Sequence, residues 1–300
     1  MKRREFMSLI GGAAVLLSRD VGAQQPQKLR LVGFLAAGGR PPKDAVPPAL
    51  RQALQSLGYN EGQNIAYEAR YAEGKMETLP ALATDLVQRN VEVIVANSGP
   101  AGVAAKRASA SIPIVLANGA GDAVATGMVA SLSRPGANVT GMSEEAVQLS
   151  AKRLEIIKET FPKATKIAVL WNVGDLGMTL RYREIEKAAR ALGVQVQPLE
   201  VRAPDDFDSA FAAMSRARPD AVFLVADPLT NLNRRKLVEY AAAHRIPAMY
   251  ESGFIVRDGG LMSYGRRRKT AFASRRATWT ASSKARSPPS FRCSSPRATT

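Results

Sequence analysis

Residues 135–143 read Pro-Gly-Ala-Asn-Val-Thr-Gly-Met-Ser, and they separate two similar halves of the chain. The proline, the first glycine and the asparagine are turn-forming residues, and residues 139–142 are long enough only for a brief extended segment. On both sides of this stretch, apolar runs typical of buried strands alternate with helix-like runs. A short extended segment between two rigid halves can absorb a rotation of one half against the other. We therefore predict that residues 139–143 form a hinge crossing between two α/β lobes.

The periodicity of the apolar residues predicts the elements of each half. Most predicted strands are apolar at nearly every position, as parallel strands covered on both faces are, whereas residues 64–71 alternate like an edge strand. Strands are predicted at residues 29–36, 64–71, 91–96 and 112–117 in the first half and at 167–171, 194–201, 221–226 and 246–250 in the second. Helices are predicted at residues 49–57, 79–89, 101–108, 147–160, 180–192, 207–216 and 232–244.

This alternation of strand and helix predicts right-handed crossovers, and therefore a parallel sheet in each half. The predicted fold class is α/β, with two Rossmann-like parallel-sheet lobes joined by a hinge. At 300 residues the chain is long enough for two compact cores. We assign residues 24–140 to lobe 1, residues 141–258 to lobe 2 and residues 259–265 to a return strand.

The N-terminal 23 residues have the pattern of an export signal. Basic residues at positions 2–4 precede an apolar run at residues 9–17 that is too short to span a bilayer, and Val-Gly-Ala at 21–23 is a small-residue cleavage site. The adjacent arginines, followed by Phe6, are typical of a twin-arginine signal. We predict cleavage after residue 23 and a soluble protein in the periplasm.

The net charge of +16 would by itself suggest a nucleic-acid or membrane-surface partner. From Arg266 onward, however, the chain has ten basic and no acidic residues, and residues 1–23 have four basic and two acidic ones. The 28 basic and 24 acidic residues between them nearly balance, so we expect no nucleic-acid partner. The only cysteine, Cys293, lies in the tail, and the exported core therefore has no disulfide framework, no thiol nucleophile and no lipid-attachment cysteine.

The tail at residues 266–300 consists largely of Arg, Ser, Thr, Ala and Pro without apolar periodicity, and we predict that it is disordered. A nucleic-acid-binding tail is the functional alternative. A shifted reading frame explains the composition better. With suitable third bases, residues 272–300 read in a neighbouring frame as Phe-Arg-Gln-Pro-Ala-Ser-Tyr-Val-Asp-Arg-Ile-Leu-Lys-Gly-Ala-Lys-Pro-Ala-Glu-Leu-Pro-Val-Leu-Gln-Pro-Thr-Arg-Tyr-Asp, the pattern of a helix followed by a strand. A frameshift is the leading hypothesis for this tail.

Small and polar residues recur where successive predicted strands end. Ligands of open α/β sheets bind at this edge, and amide, hydroxyl and backbone N–H groups there can hold a carboxylate, particularly where Ser98-Gly99-Pro100 opens a helix. Asp227 could pair with a ligand ammonium group. Each residue alone also fits a turn or a helix cap. The candidate ligand-binding residues are Ala37, Ser98, Gly99, Asn118, Ser143, Asn172, Asp227 and Tyr250.

Catalytic residues are not evident. The sole histidine, His244, comes late in a predicted helix, where the helix dipole favours it. The sequence has no His/Cys cluster for a metal ion and no glycine-rich phosphate loop. Trp171, at the end of a strand, fits either the core or the wall of a ligand site. We expect a binding protein without a cofactor.

Five separated stretches carry a family resemblance. They are Met-Lys-Arg-Arg-Glu-Phe at 1–6, Leu-Gly-Tyr-Asn-Glu-Gly-Gln-Asn at 57–64, Leu-Pro-Ala-Leu-Ala at 79–83, Arg-Pro-Gly-Ala-Asn-Val-Thr-Gly at 134–141 and Gly-Leu-Met-Ser-Tyr-Gly at 260–265. In this order they resemble the ABC-transporter substrate-binding proteins related to the tryptophan-binding type. The resemblance covers residues 1–265, and the shifted tail continues it. It implies the type I periplasmic-binding fold, with three crossings between the lobes.

The resemblance also implies a function. Such a protein closes on a small polar solute, such as an amino acid, and delivers it to a permease and ATPase in the inner membrane. By position, the implied cleft residues are Ser98, Asn118, Ser143, Asn172, Asp227 and Tyr250. The chain departs from the family at residues 118–122, where relatives more often place a Gly-Asp-Pro turn. The alternatives are an α/β enzyme using the same cleft, either racemase-like or glycosyl-transferring, and a nonfunctional product of a frameshifted gene.

Overall fold

The computed structural model describes residues 29–43, 45–118, 122–143 and 146–265, which form two α/β lobes with one parallel five-stranded sheet each. The fold class predicted from the sequence is confirmed. The predicted signal at residues 1–23 and the predicted disordered tail at residues 266–300 lie outside the described residues.

The first sheet has the strand order β2-β1-β3-β4-β5. Its strands are β1 (Arg30–Ala36), β2 (Ile65–Tyr71), β3 (Val93–Asn97), β4 (Ile114–Asn118) and β5 (Val139–Gly141). The helices of this lobe are α1 (Pro48–Gln55), α2 (Leu79–Gln88) and α3 (Gly99–Ala108). The strand with alternating polarity, β2, lies at an edge, as predicted.

Both faces of the first sheet are apolar. Side chains of α2 and α3 pack on one face, where Leu86, Ile94 and Leu116 are buried. On the other face, α1 packs through Leu54 against a group of residues that includes Phe34. Removal of this apolar surface from water stabilises the lobe, at about 25 cal/mol per Å².

The second sheet has the strand order β10-β9-β8-β6-β7. Its strands are β6 (Lys166–Asn172), β7 (Gln195–Val201), β8 (Ala221–Leu224), β9 (Ala248–Tyr250) and β10 (Met262–Ser263). Residues of α4 (Ala146–Thr160) and α5 (Leu176–Ala191) pack on one face. The other face is covered by α6 (Asp206–Ala217), α7 (Pro228–Leu232), α8 (Arg234–Ala243) and α9 (Gly253–Arg257).

The segment between the lobes begins later than the sequence suggests. Val139–Gly141 form β5, which pairs with β4 in the first sheet, and the chain then reaches α4 of the second lobe. Gly141 has a φ of +135°, and a Cβ atom there would collide with the backbone of Leu116. Only glycine fits so close to the neighbouring strand, and residues 139–141 of the predicted hinge crossing therefore belong to the first sheet.

Two helix starts were missed, and in both cases the reason is a cap: one predicted helix begins earlier than expected, and one short helix was not predicted. The helix predicted at residues 232–244 is observed as α8, but the short helix α7 before it was not predicted; a capping box between Asp227 and Thr230 and the following proline start it. The helix predicted at residues 180–192 begins at Leu176, because the side chain of Asp175 accepts a hydrogen bond from the N–H of Gly177. The short helix α9 was not predicted.

Candidate functional site

Loops at the carboxyl ends of strands from both lobes meet. The loop after β1 includes Gly38, whose added Cβ would lie 3.8 Å from the Cβ of Pro228 at the start of α7. The loop after β2 includes Gly74, where a Cβ would lie 3.3 Å from the side chain of Leu229. Since α7 follows β8, the carboxyl edges of the two sheets, where ligands of α/β sheets commonly bind, face each other.

Asn172 and Asp227, two of the predicted site residues, are brought together at the end of the second sheet. The Nδ2 of Asn172 donates a hydrogen bond to Oδ2 of Asp227 at 2.6 Å, and both side chains are buried. The other carboxylate oxygen accepts from the backbone N–H of Thr230 at 2.8 Å. These bonds fix the start of α7 to β6.

Asp175 was not singled out by the sequence analysis, but it belongs to the same group. This N-cap of α5 is 4% exposed, and its Oδ1 accepts from the N–H of Gly177 at 2.9 Å. Burial raises the pKa of Asp175 to about 7, and the charge of Asp227 adds to this effect. An Asp three residues beyond a buried strand and directly before a helix was the sequence signal that could have identified it.

Asp227 has a raised pKa as well, because burial outweighs the hydrogen bonds from Thr230 and Asn172 that favour the charged form. Within the part of the chain that the structure describes, neither Asp175 nor Asp227 has a cationic side chain at ion-pair distance. Two buried carboxyl groups without a direct ion pair can accept a cationic group of a ligand, even though the charge of Arg181 offsets part of the cost at Asp175.

A buried ionic group lies beside them. Arg153 of α4 and Arg181 of α5 both contact Oε1 of Glu251, which follows β9, and the side chains of both arginines are 3% exposed. The Nε of Arg153 also donates to the carbonyl of Tyr264 at 2.6 Å. The group thus ties two helices to the residues after β9 and β10. No sequence signal separated these two arginines from the exposed ones on the same helices.

The candidates from the first lobe lie at the carboxyl edge of its sheet. Ser98 is buried, and its side chain caps α3 by accepting from the N–H of Ala101 at 3.2 Å. Gly99 is the first residue of α3, and Ala37 is fully buried in the loop after β1. Asn118 is the last residue of β4, and its side chain lies outside the described part of the chain.

Ser143 lies in the segment that joins the lobes. Its hydroxyl accepts a hydrogen bond from the N–H of Ala123 at 3.2 Å. This bond attaches the crossing to the segment that follows β4. Ser143 therefore helps to fix the path of the chain, in addition to its predicted role in binding.

The aromatic candidates lie in the core of the second lobe. Tyr250 is fully buried in the group that includes Leu224 and Ile255, and burial raises its pKa to about 12. Trp171 is 2% exposed and stacks on Tyr182 with the ring centroids 3.7 Å apart. Of the two alternatives for Trp171, the core and the wall of a ligand site, the structure therefore supports the core.

Residues 29–43, 45–118, 122–143 and 146–265 contain neither a metal site nor a membrane-spanning helix. These residues contain no group of three or more His, Cys, Asp or Glu suited to a metal ion. Nor do they contain a helix that is both long and apolar enough to cross a membrane. His244 is the C-cap of α8, and its Nδ1 lies 2.9 Å from the carbonyl oxygen of Tyr240, as its predicted place at a helix end requires.

Comparison with known proteins identifies the family. The tyrosine-binding protein of Clostridioides difficile is 27% identical over 280 residues, which cover 88% of this chain and 80% of that protein. A conserved domain protein of Vibrio cholerae is 25% identical, with a TM-score of 0.72 over 82% of this chain and 80% of that chain. An ABC domain of Streptococcus pneumoniae in complex with L-Trp has the same fold, at 21% identity and a TM-score of 0.72 over 81% of both chains.

A model of the family described as ABC transporter substrate binding protein matches residues 40–271. This match spans the facing strand ends of both lobes, including Ser98, Asn172, Asp175 and Asp227. The chain therefore belongs to the ABC transporter substrate binding protein family.

Proposed function

We propose that this protein is the periplasmic solute-binding component of an ABC importer. It binds a small solute between its lobes and presents the closed form to a permease and ATPase in the inner membrane. The observation that supports this proposal best is the contact of the loops after β1 and β2 with α7, because it brings the carboxyl edges of the two sheets together, and a solute beside this contact is enclosed by strand ends from both lobes.

The charges of the second lobe favour a solute with an ammonium group. Asp175 and Asp227 are buried near each other, and neither has a cationic side chain at ion-pair distance among the described residues, although the charge of Arg181 favours the charged form of Asp175. An ammonium group placed between them would offset the cost of two buried carboxylates. In the first lobe, Ser98 and the N-terminus of α3 offer backbone N–H groups to a carboxylate. Together these chemistries fit an amino acid.

The known ligands of similar proteins suggest the first solutes to test. The Clostridioides difficile relative is named for tyrosine, and the solved Streptococcus pneumoniae structure contains L-Trp. A more distant solute-binding protein of Rhodopseudomonas palustris, 19% identical over 63% of its chain, contains benzoate. Benzoate is an aromatic carboxylate without an ammonium group. Comparing it with the two amino acids therefore tests whether binding needs the ammonium group.

The proposed function includes closure of the two lobes on the solute. The two lobes are joined at Met142 and the residues after it, and a solute that contacts both lobes shifts the population towards the form in which they are together. This mechanism needs neither a nucleophile nor a metal ion.

Calorimetry and small-angle scattering test the proposal together. The protein from residue 24 onward is titrated with L-tyrosine, L-tryptophan and benzoate, and its radius of gyration is measured with and without each compound. We expect at least one amino acid to bind with a dissociation constant of about 1 μM, which corresponds to a binding free energy of about −8 kcal/mol. The same amino acid should reduce the radius of gyration. Tight binding without compaction would argue against closure, and turnover of a bound compound would favour the enzyme alternative.

A further inference from the structure

The contact between the lobes is built from two rigid parts. In the first lobe, the loops after β1 and β2 are joined by backbone hydrogen bonds, from the N–H of Gly74 to the carbonyl of Ala37 at 2.8 Å and from Glu73 to Gly38 at 3.2 Å. We call the surface formed by Gly38, Gly39 and Gly74 the glycine socket. Because its two loops hold each other, its shape does not depend on the second lobe.

The opposing part is α7 of the second lobe. Its start is fixed by the capping box between Asp227 and Thr230 and by the bond from Asn172 to Asp227. Leu229 is fully buried, whereas Leu232, one turn further on, is 45% exposed. The buried polar group at the end of the second sheet thus holds two leucines at a defined position.

The two parts fit because the socket has no side chains. A Cβ atom on Gly39 would lie 3.1 Å from Cδ2 of Leu232, and one on Gly74 would lie 3.3 Å from Cδ1 of both Leu229 and Leu232. Gly74 has a φ of +88°, in the region that favours glycine. Met76, just beyond the socket, packs against the core of the second lobe. Apolar contact between the lobes is therefore direct and does not pass through the solute.

We propose that the seating of Leu232 in the glycine socket stabilises the closed arrangement of the lobes and so sets the affinity for the solute without touching it. This inference rests on the proposed function, because it assigns Leu232 as a positioning residue for solute binding. Burial of part of a leucine side chain favours the closed form, and a solute that binds only that form gains the same factor in affinity. The ligand-binding groups of Asp175 and Ser98 are then brought into range by a contact outside the binding site.

Leu232→Asn tests the proposal, since the side chain is half-exposed and its loss should leave each lobe folded. Leu261→Asn is the matched control, because Leu261 is also in the second lobe, is 60% exposed and takes no part in the contacts with the socket. Both are made in a Cys293→Ser background with Gln52→Cys and Arg235→Cys, so that spin labels on α1 and α8 report the distance between the lobes.

We expect Leu232→Asn to lengthen the label distances of the solute-free protein and to weaken the binding of L-tyrosine or L-tryptophan by about three- to tenfold. The unfolding midpoint should remain that of Leu261→Asn, which leaves distances and affinity unchanged. Equal distance distributions for the two variants would overturn the proposal, and so would equal affinities. If neither amino acid nor benzoate binds any of the proteins, the proposed function fails, while the distances of the solute-free protein still decide whether the socket contact holds the lobes.

Discussion

Asp175 is a carboxyl group that folding removes from water without an ion pair, and the nearby charge of Arg181 only partly offsets the effect of burial. Three residues earlier in the chain, Asn172 is equally buried, but its amide is satisfied by Asp227 and by the N–H of Gly174. Asp175 has only backbone N–H partners at the start of α5, and its raised pKa expresses the cost of keeping it charged. A residue whose charge opposes folding is a candidate for a role in binding.

We predict that Asp175→Asn makes the solute-free protein more stable at pH 8. An unfolded Asp loses its proton near pH 4, whereas Asp175 in the folded protein has a pKa of about 7. Between these values the folded state binds more protons, so the free energy of unfolding of the wild type falls as the pH rises. The amide does not titrate and still caps the helix. The gain of the variant over the wild type should grow by about 2 to 4 kcal/mol from pH 4 to pH 8.

Urea unfolding of the variant and the wild type at pH 4, 6 and 8 measures this gain. Asp220→Asn is the control with the opposite sign, because hydrogen bonds from the N–H groups of Thr165 and Lys166 lower the pKa of Asp220. The charged form of Asp220 therefore stabilises the folded protein at pH values above the ordinary pKa of Asp. Asp220→Asn should be less stable than the wild type at pH 6 and 8. A difference between Asp175→Asn and the wild type that stays constant with pH would contradict the buried, charged assignment.

At the scale of the elements, the end of β5 is the tightest point of the first lobe. Gly141→Ala would place a methyl group against the backbone of Leu116 and hold a non-glycine residue at a φ of +135°. Since β5 cannot move away without losing its pairing with β4, we expect a loss of about 3 kcal/mol or more in the free energy of unfolding.

Gly127→Ala is a control for a positive φ without a close contact. Gly127 also has a positive φ, +72°, but nothing lies within 4 Å of an added Cβ. This variant should lose only about 1 kcal/mol, the cost of the backbone conformation alone. Chemical unfolding of both variants gives the comparison. Equal losses would mean that contact with Leu116 does not determine the path of the chain into the crossing.

The elements themselves were largely predictable, because buried parallel strands are apolar at nearly every position and their helices end at Gly193 or before Pro219. The errors fall where short-range polar bonds override apolar periodicity. Asp227 starts α7 through Thr230, and Asp175 starts α5. The site was predictable only as a set of strand ends. Asn172 and Asp227 are 55 positions apart in the chain. The pairing of β6 with β8 brings them within hydrogen-bond distance.

At the scale of the whole molecule, the described residues do not cover the two sheets equally. Among the described residues, one face of the first sheet packs only against α1, and Tyr67 and Val115 on that face are only partly buried. Each face of the second sheet packs against two or more helices. The helix and strand read in the shifted frame of residues 272–300 are elements of the kind that would complete such a sheet.

We predict that the gene across codons 255–300 contains an open shifted frame, and that the chain encoded by that frame is the more stable one. The physical reason is apolar coverage, because an additional helix over the α1 face would bury surface that the described residues leave partly exposed. Nucleotide sequencing tests the first statement. Expression of both chains tests the second, and we expect the shifted-frame chain to unfold at a temperature higher by several degrees, at about 2 to 4 °C for each kcal/mol in a chain of this size, and to remain monomeric. A confirmed present frame with no open frame beside it would contradict the hypothesis, and equal unfolding temperatures would show that the α1 face needs no further cover.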